Sequence, residues 1–280
     1  MSGIRIYAFA DEASGSLEGQ IAAMRRNGLQ GVELRNVNGV NVSDLTITQA
    51  KEIRVALEGE GLTVWSAGSP LGKISVKDLF GPHLEKLKRT LEVCAALGAQ
   101  RIRMFSFYTP GGEDPADYRQ LVLDRLGEMA DCAEGTGIRL CHENEKGIYG
   151  DNAARCLDLL TAEPRLGGVF DPANFVQCGQ DTLEAWALLK GRIDYLHIKD
   201  AFFADGRVVP AGKGEGHVPE IVTDYLARGG TAVTVEPHLT VFAGLEALEK
   251  EGGRSAVGAY AYPNADAAFD AACQALKALL

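Results

Sequence analysis

Three carboxylates and one imidazole follow short apolar runs in the second half of the chain: Glu143, Asp171, His197 and Glu236. If they face one partly desolvated space, the carboxylates repel each other by several kcal/mol unless a cation lies between them. Three oxygen ligands with one imidazole suit Mn²⁺, Mg²⁺, Co²⁺ or Zn²⁺ better than a thiophilic ion. The residue types therefore predict a site for one divalent metal ion and leave the choice of metal open.

Each of these residues also has an ordinary structural explanation. Asp171 precedes Pro172, and an aspartate followed by proline is a common start of a helix. A histidine such as His197 is often hydrogen-bonded in a core, and a lone glutamate often lies on an exposed loop. The metal site is favoured only because all four residues occupy matching positions in a repeating pattern of strands and helices.

That pattern runs through the whole chain. Short runs of β-forming residues alternate with segments of helical apolar spacing at intervals of roughly 30 residues. The eight predicted strands cover residues 4–9, 31–35, 62–67, 101–105, 138–143, 168–171, 195–199 and 232–236. Because each strand returns to the sheet through a helix, the sheet should be parallel.

Eight such units without a linker predict an α/β fold, a single (β/α)8 TIM barrel in one domain over residues 1–280. An open doubly wound sheet is the competing fold. Its dinucleotide form would carry G-x-G-x-x-G after the first strand, whereas residues 8–15 contain one glycine. Residues 264–280 have an apolar helical face and should form a helix that packs against the barrel.

Side-chain parity places the four residues inside this barrel. In the seventh predicted strand Leu196 and Ile198 suit the helix side, so His197 and Lys199 point inward. The same reasoning turns the three carboxylates inward, each at or near the carboxyl end of its strand, where barrel enzymes build their active sites. Lys199 would steady a developing alkoxide or a substrate phosphate, or else pair with a barrel carboxylate such as Glu33.

Other candidates are less specific. Substrate contacts at strand ends are expected from Arg35, Arg103, Lys146 and Tyr149. The alternating glycines of residues 212–217 follow the seventh strand, where barrels often bind phosphate, and a flexible loop explains them equally well.

Composition excludes several classes of protein. The 280 residues are 46% hydrophobic, which is too apolar for a disordered chain, and the net charge of −10 disfavours nucleic-acid binding. No apolar run approaches the roughly 20 residues that cross a bilayer, and residues 1–5 lack a signal peptide's apolar region. We expect a cytoplasmic protein with no membrane partner. The six cysteines form no C-x-x-C pair, and the sequence leaves open whether the protein is a homo-oligomer.

The motifs resemble the xylose-isomerase-like TIM-barrel superfamily, also described as the sugar phosphate isomerase/epimerase family. The resemblance spans nearly the whole chain and rests on residues 31–35, 142–144, 171–174, 197–200 and 236–237. It implies that Glu143, Asp171, His197 and Glu236 bind one divalent ion. It also implies that Glu143 and Glu236 are the catalytic residues that exchange substrate protons.

Two departures from the family pattern affect the expected substrate. Asn174 stands where many relatives have a histidine that touches the substrate or binds a further zinc, so a three-metal phosphodiesterase site would lack a ligand. Phe203 stands where ketose 3-epimerases resemble one another in an arginine. Asn174, Lys199 and Arg103 are the expected substrate-binding residues.

The resemblance implies a metal-dependent isomerase or epimerase acting on a small sugar or sugar phosphate. It would transfer a proton at a carbon next to the carbonyl that the metal polarises. An inosose-type dehydratase on the same site and a non-catalytic sugar-binding barrel are the alternatives.

Overall fold

Eight parallel strands close on themselves in the computed structural model, which describes residues 3–241 and 260–280. They are β1 (Arg5–Ala8), β2 (Gly31–Leu34), β3 (Thr63–Gly68), β4 (Arg101–Met104), β5 (Arg139–Glu143), β6 (Gly167–Phe170), β7 (Ile193–Ile198) and β8 (Ala232–Val235). The strands pair in chain order, and β8 pairs with β1 to close the barrel. The predicted TIM barrel is confirmed, and each predicted strand end lies within two residues of the observed one.

Helices surround this barrel. The described α-helices are α1 (Leu17–Arg26), α2 (Ile47–Gly59), α3 (Phe80–Leu97), α4 (Arg119–Ala133), α5 (Ala153–Ala162), α6 (Pro172–Gln177), α7 (Thr182–Leu189), α8 (Val218–Ala227) and α9 (Ala265–Lys277). Side-chain caps define several starts: Ser16 accepts a hydrogen bond from the Gly19 amide, and Thr46 forms a capping box with Gln49. The predicted final helix is α9, which Arg26 ties to α1 through Asp270.

Two small hairpins were missed by the sequence analysis. The strand Asn36–Val37 pairs with Val40–Asn41 after β2, and Asp200–Ala201 pairs with Val208–Val209 after β7. A short 3-10 helix, Ala10–Glu12, also follows β1. Elements of two or three residues are too short to show a hydrophobic period, so the sequence pattern does not predict them.

The apolar core has two layers. Outward residues of the strands, among them Leu196 and Ile198, pack against the helices in one continuous cluster. Inside the barrel a separate cluster surrounds the stacked rings of Tyr7 and Trp65, whose centroids lie 4.9 Å apart. Tyr195 belongs to this inner cluster and precedes His197 by two residues, so the aromatic layer lies below the polar residues of the carboxyl end.

Some predictions fall partly beyond this description. Residues 1–2 and 242–259 lie outside the described residues, so a single domain over residues 1–280 stays a prediction. Within the described ranges, no helix combines the length and the apolar character that crossing a bilayer requires. All six cysteines are free.

Candidate metal centre

The structure brings the four predicted ligands together. Glu143 ends β5, Asp171 directly follows β6, His197 lies in β7 and Glu236 directly follows β8. One ligand atom from each residue lies within 4.8 Å of the corresponding atoms of the other three, and all four residues are buried. This is the clustering that a single ion requires, and metal binding itself stays a prediction.

The two nitrogens of His197 face different groups. Nδ1 lies 2.9 Å from Glu143 Oε1 and 3.4 Å from Glu236 Oε2, among the other candidate ligands. Nε2 lies 3.1 Å from Oε2 of Glu33, which is fully buried. A metal-binding histidine usually donates its second N–H to a carboxylate, which fixes the ring and its tautomer. The pair with Glu33 therefore leaves Nδ1 as the nitrogen for a metal.

Buried hydroxyls hold Glu33 in place. Its Oε1 accepts from Tyr195 Oη at 2.9 Å, and its Oε2 accepts from Thr234 Oγ1 at 2.8 Å. Burial raises the pKa of Glu33, but the neighbouring His197 ring and the hydrogen bonds outweigh it and lower that pKa on balance. The sequence predicted that Lys199 could pair with a barrel carboxylate such as Glu33. Glu33 contacts His197 instead, and Lys199 pairs with other carboxylates of the barrel.

Lys199 instead lies between two of the candidate ligands. Its Nζ is 2.9 Å from Asp171 Oδ2 and 3.3 Å from Glu236 Oε2. Burial is the main reason why the pKa of Asp171 is raised to about 7. The charges of Glu236 and Glu143 also raise this pKa, and Lys199 opposes the shift. Asp171 Oδ2 is buried, and its partner in the described part of the chain is the Lys199 ammonium, in an ion pair. A carboxylate oxygen held this way, beside other carboxylates, fits a cation ligand.

Asp171 also begins a helix, so both explanations of its position hold. Its Oδ1 accepts from the Asn174 amide at 2.9 Å as the N-cap of α6, while Oδ2 faces the site. The Asn144 side chain exchanges two hydrogen bonds of 2.9 Å with the Asp171 backbone. Asn144 thereby fixes the end of β6 against the end of β5, which explains its place beside Glu143 in the sequence motif.

The expected substrate contacts lie at different places. Arg103 Nε is 3.1 Å from Glu143 Oε2, and the Asn174 side chain donates to the Asn144 carbonyl at 2.9 Å and to Glu143 Oε1 at 3.4 Å. Both therefore contact Glu143 or its neighbour. Lys146 donates to a glutamine side chain of α6, and the Tyr149 hydroxyl donates to an aspartate of α5; these contacts involve none of the four candidate ligands.

A buried ion-pair network beside Glu236 was not anticipated. Arg35, expected as a substrate contact, lies 2.9 Å from Asp11, 3.1 Å from Glu12 and 3.4 Å from Glu236 Oε1. The His238 amide donates to Glu12 Oε2 at 2.6 Å. The sequence offered one signal for this network, the position of Asp11 and Glu12. They lie just after the first strand, as the candidate metal ligands lie at or near the ends of their strands.

The glycine-rich loop after β7 encloses a carboxylate. Asp200 accepts hydrogen bonds from the amides of Ala201, Gly212, Gly214 and Gly216, each at 2.9 Å. A Cβ on Gly214 would lie 2.4 Å from Asp200 Oδ1, so this approach requires glycine. The amides that would bind a phosphate are therefore already bound to Asp200. The sequence left open a phosphate site or a flexible loop, and the structure shows instead a loop ordered around the Asp200 carboxylate.

Comparison with known proteins gives one family. The family described as "Xylose isomerase-like TIM barrel" matches residues 21–238. Among the curated proteins, none matches the chain significantly.

Several solved structures share the fold. The probable 3-DHS dehydratase AsbF of Bacillus anthracis, involved in petrobactin synthesis, is 17% identical with a TM-score of 0.73 over 98% of both chains. The apo form of 3-keto-D-glucoside 4-epimerase, YcjR, from E. coli is 16% identical with a TM-score of 0.69, over 99% of this chain and 98% of its own. The IOLI protein with a bound zinc atom is 15% identical with a TM-score of 0.73, over 99% and 97%. At these identities the similarity shows the fold alone.

Proposed function

Since the chain belongs to the family of xylose isomerase-like TIM barrels, we propose that it is a divalent-metal-dependent isomerase or epimerase of a small carbohydrate. The observation that carries this proposal is the cluster of Glu143, Asp171, Glu236 and the Nδ1 atom of His197. The zinc atom in the similar IOLI structure supports a metal in this class of site. When bound, a divalent ion would polarise a substrate carbonyl as a Lewis acid.

The two glutamates are placed to move protons. Burial raises the pKa of Glu236, but Lys199, His238 and His197 outweigh it and hold that pKa well below its usual range. Glu236 is therefore ionised at neutral pH and able to accept a proton from a substrate carbon. Glu143 lies at the end of β5, two strands from His197 in the barrel, and would return the proton. Return to the same carbon from the opposite face gives an epimer, and return to the adjacent carbon gives an isomer.

Neighbouring donors would orient the substrate. Lys199 Nζ lies beside Glu236, and the Asn174 amide lies beside Glu143, so each can donate to a substrate oxygen near a proton-transfer group. Arg103 stays an expected contact, with its guanidinium in an ion pair with Glu143. A small carbohydrate with several hydroxyls fits a site with this many donors and acceptors.

A dehydratase is the second candidate. Its first step is the same removal of a proton next to a carbonyl, and a β-hydroxyl then leaves as water. The ammonium of Lys199, 3.3 Å from Glu236 Oε2, is a donor that could protonate such a leaving group. The similarity in fold to a probable dehydratase is compatible with this chemistry.

Exchange of the substrate α-proton with D₂O separates these possibilities. The assay covers ketoses, sugar phosphates and inososes, each with Mn²⁺, Mg²⁺, Co²⁺, Zn²⁺ or EDTA. Metal-dependent exchange with an epimer or isomer as product supports the proposal, whereas exchange with loss of water supports the dehydratase. Tight sugar binding without exchange would identify a non-catalytic barrel.

Two variants test the assigned roles. Glu236→Gln should abolish exchange and keep much of the metal affinity, because an amide still offers one oxygen. His197→Ala should weaken metal binding first. Near-normal turnover of Glu236→Gln would show that Glu236 does not carry the proton.

A further inference from the structure

Each proton-transfer glutamate divides its two oxygens between the metal centre and an arginine. Glu143 places Oε1 near His197 Nδ1 and Oε2 at 3.1 Å from Arg103 Nε. Glu236 places Oε2 near the same Nδ1 atom and Oε1 at 3.4 Å from Arg35 Nη1. The two carboxylates therefore share one arrangement, a histidine on one oxygen and an arginine on the other, although they come from different strands.

One buried phenyl ring, that of Phe9, packs against both arginines. The guanidinium carbon of Arg35 is 4.5 Å from the Phe9 ring centroid, and that of Arg103 is 5.3 Å from it. The Phe9 amide donates to the Val235 carbonyl at 3.0 Å, which fixes the ring at the closure between β1 and β8. A Cβ on Gly68 would lie 2.4 Å from this ring, so the glycine that ends β3 leaves the space for it. The ring thus gives both guanidinium groups a common packing surface.

Both guanidinium groups are held from their other side. Arg35 is 1% exposed and makes a two-pronged contact with Asp11, at 2.9 and 3.0 Å. Arg103 donates from Nη1 to the Ser69 carbonyl at 3.1 Å and is 3% exposed. A guanidinium fixed in this way keeps its charge at a set place beside a carboxylate. Arg35 donates a hydrogen bond from Nη1 to Glu236, and Arg103 faces Glu143 in an ion pair without a hydrogen bond from Nε.

We propose that Arg35 and Arg103, both packed on Phe9, are positioning residues that aim one oxygen of Glu236 and one of Glu143 at the metal centre. They set the distance between the two proton-transfer carboxylates and need not touch the reacting carbon. This inference rests on the proposed function, but it also predicts metal affinity, which is measured independently of turnover.

The test compares Arg35→Lys, Arg103→Lys and Phe9→Leu with Arg119→Lys. Arg119 is a matched control because it also pairs with an aspartate. That pair lies on the surface and includes none of the residues discussed above in this subsection. Mn²⁺ affinity and stoichiometry are measured by calorimetry, and kcat and KM by proton exchange. Lysine keeps the charge and loses the planar fork, so folding should survive. Arg35→Met removes the cation shared by Asp11, Glu12 and Glu236 and serves only to show rescue by lysine.

We expect both lysine variants to bind one Mn²⁺ with about tenfold lower affinity. Their kcat should fall roughly tenfold to a hundredfold with KM nearly unchanged, because misplaced carboxylates cost rate. Phe9→Leu should show smaller losses of both kinds, and Arg119→Lys should show none.

Unchanged Mn²⁺ affinity and kcat in Arg35→Lys would overturn the proposal, and a rise in KM alone in Arg103→Lys would make Arg103 a substrate contact instead. If the wild type exchanges no proton in any compound, the proposed function fails, while lower Mn²⁺ affinity in the variants would still support positioning. A wild type that binds no Mn²⁺ would overturn both.

Discussion

Replacing Glu33 with glutamine removes the charge that orients His197 and keeps nearly the same shape. In the folded protein Glu33 Oε2 faces His197 Nε2 and the Thr234 hydroxyl, and Oε1 faces the Tyr195 and Ser66 hydroxyls. A glutamine oxygen turned toward His197 keeps a neutral hydrogen bond there. The amide NH₂ then faces hydroxyls, which can rotate to accept.

The expected losses differ in size. Outer partners of metal-binding histidines are typically worth a factor of about 10 to 100 in metal affinity, or about 1.4 to 2.7 kcal/mol. The substitution replaces charged hydrogen bonds by weaker neutral ones but leaves no buried donor without a partner. It should therefore lower the free energy of unfolding by about 1 kcal/mol. Glu33→Gln should therefore weaken Mn²⁺ binding more than it lowers the free energy of unfolding.

Calorimetric Mn²⁺ titration and urea unfolding in EDTA measure the two effects separately. Thr234→Val is the matched control, because it removes one donor to the same Glu33 oxygen without touching His197. It should cost a similar stability and leave the Mn²⁺ affinity nearly unchanged. If Glu33→Gln binds Mn²⁺ as tightly as the wild type, His197 is not oriented by Glu33 or is not a ligand.

Three further substitutions have distinct readouts. Burial and two nearby cations lower the pKa of His83 to about 4, so stability is lost as the pH falls from 6.5 toward 4; His83→Gln should flatten this part of an unfolding profile. Asp200→Asn turns an NH₂ toward amides of the 212–216 loop, which should speed their hydrogen exchange and leave Mn²⁺ affinity intact. Asp171→Asn should bind Mn²⁺ more weakly and yet be more stable than the wild type in EDTA at pH 8.

Strand parity was sufficient to predict which residues of a strand face the barrel axis. Leu196 and Ile198 identified the outer face of β7, and the structure places His197 and Lys199 inside as that parity requires. The same rule turned Glu143, Asp171 and Glu236 inward. These predictions succeeded because a strand has a fixed period of two and because the outer face must be apolar.

Parity does not give height along the axis or the contacts made by barrel closure. Thr234 and His197 are register partners, which puts Glu33 level with His197 and below Lys199. Arg35 reaches a carboxylate 201 positions away only because β8 pairs with β1. No local pattern encodes either relation, so the network around Arg35 could not be read from the sequence.

The Asp171 prediction follows from the balance of charge in the cluster. Within the described part of the chain, six carboxylates face four cations when no metal is bound. The carboxylates are Asp11, Glu12, Glu33, Glu143, Asp171 and Glu236. The cations are Arg35, Arg103, Lys199 and the His197 ring, whose pKa the surrounding glutamates raise well above its ordinary value. Such an excess of buried negative charge opposes folding unless a cation or protons offset it. This unfavourable free energy is clearest at Asp171, because burial and the neighbouring glutamates raise its pKa to about 7.

Because that pKa lies above the ordinary value of 3.8, ionising Asp171 lowers stability as the pH rises from about 4 through 7. Asparagine keeps the cap on the Asn174 amide and removes the charge, so the variant should gain stability above pH 7, by an amount of order a few kcal/mol. At pH 4, close to the ordinary value of 3.8 at which the unfolded carboxyl also takes up a proton, the difference should largely disappear. Thermal unfolding in EDTA at both pH values measures this directly. A variant less stable than the wild type at pH 8 would mean that the Lys199 ion pair outweighs the repulsion, and that the site does not sacrifice stability for its metal.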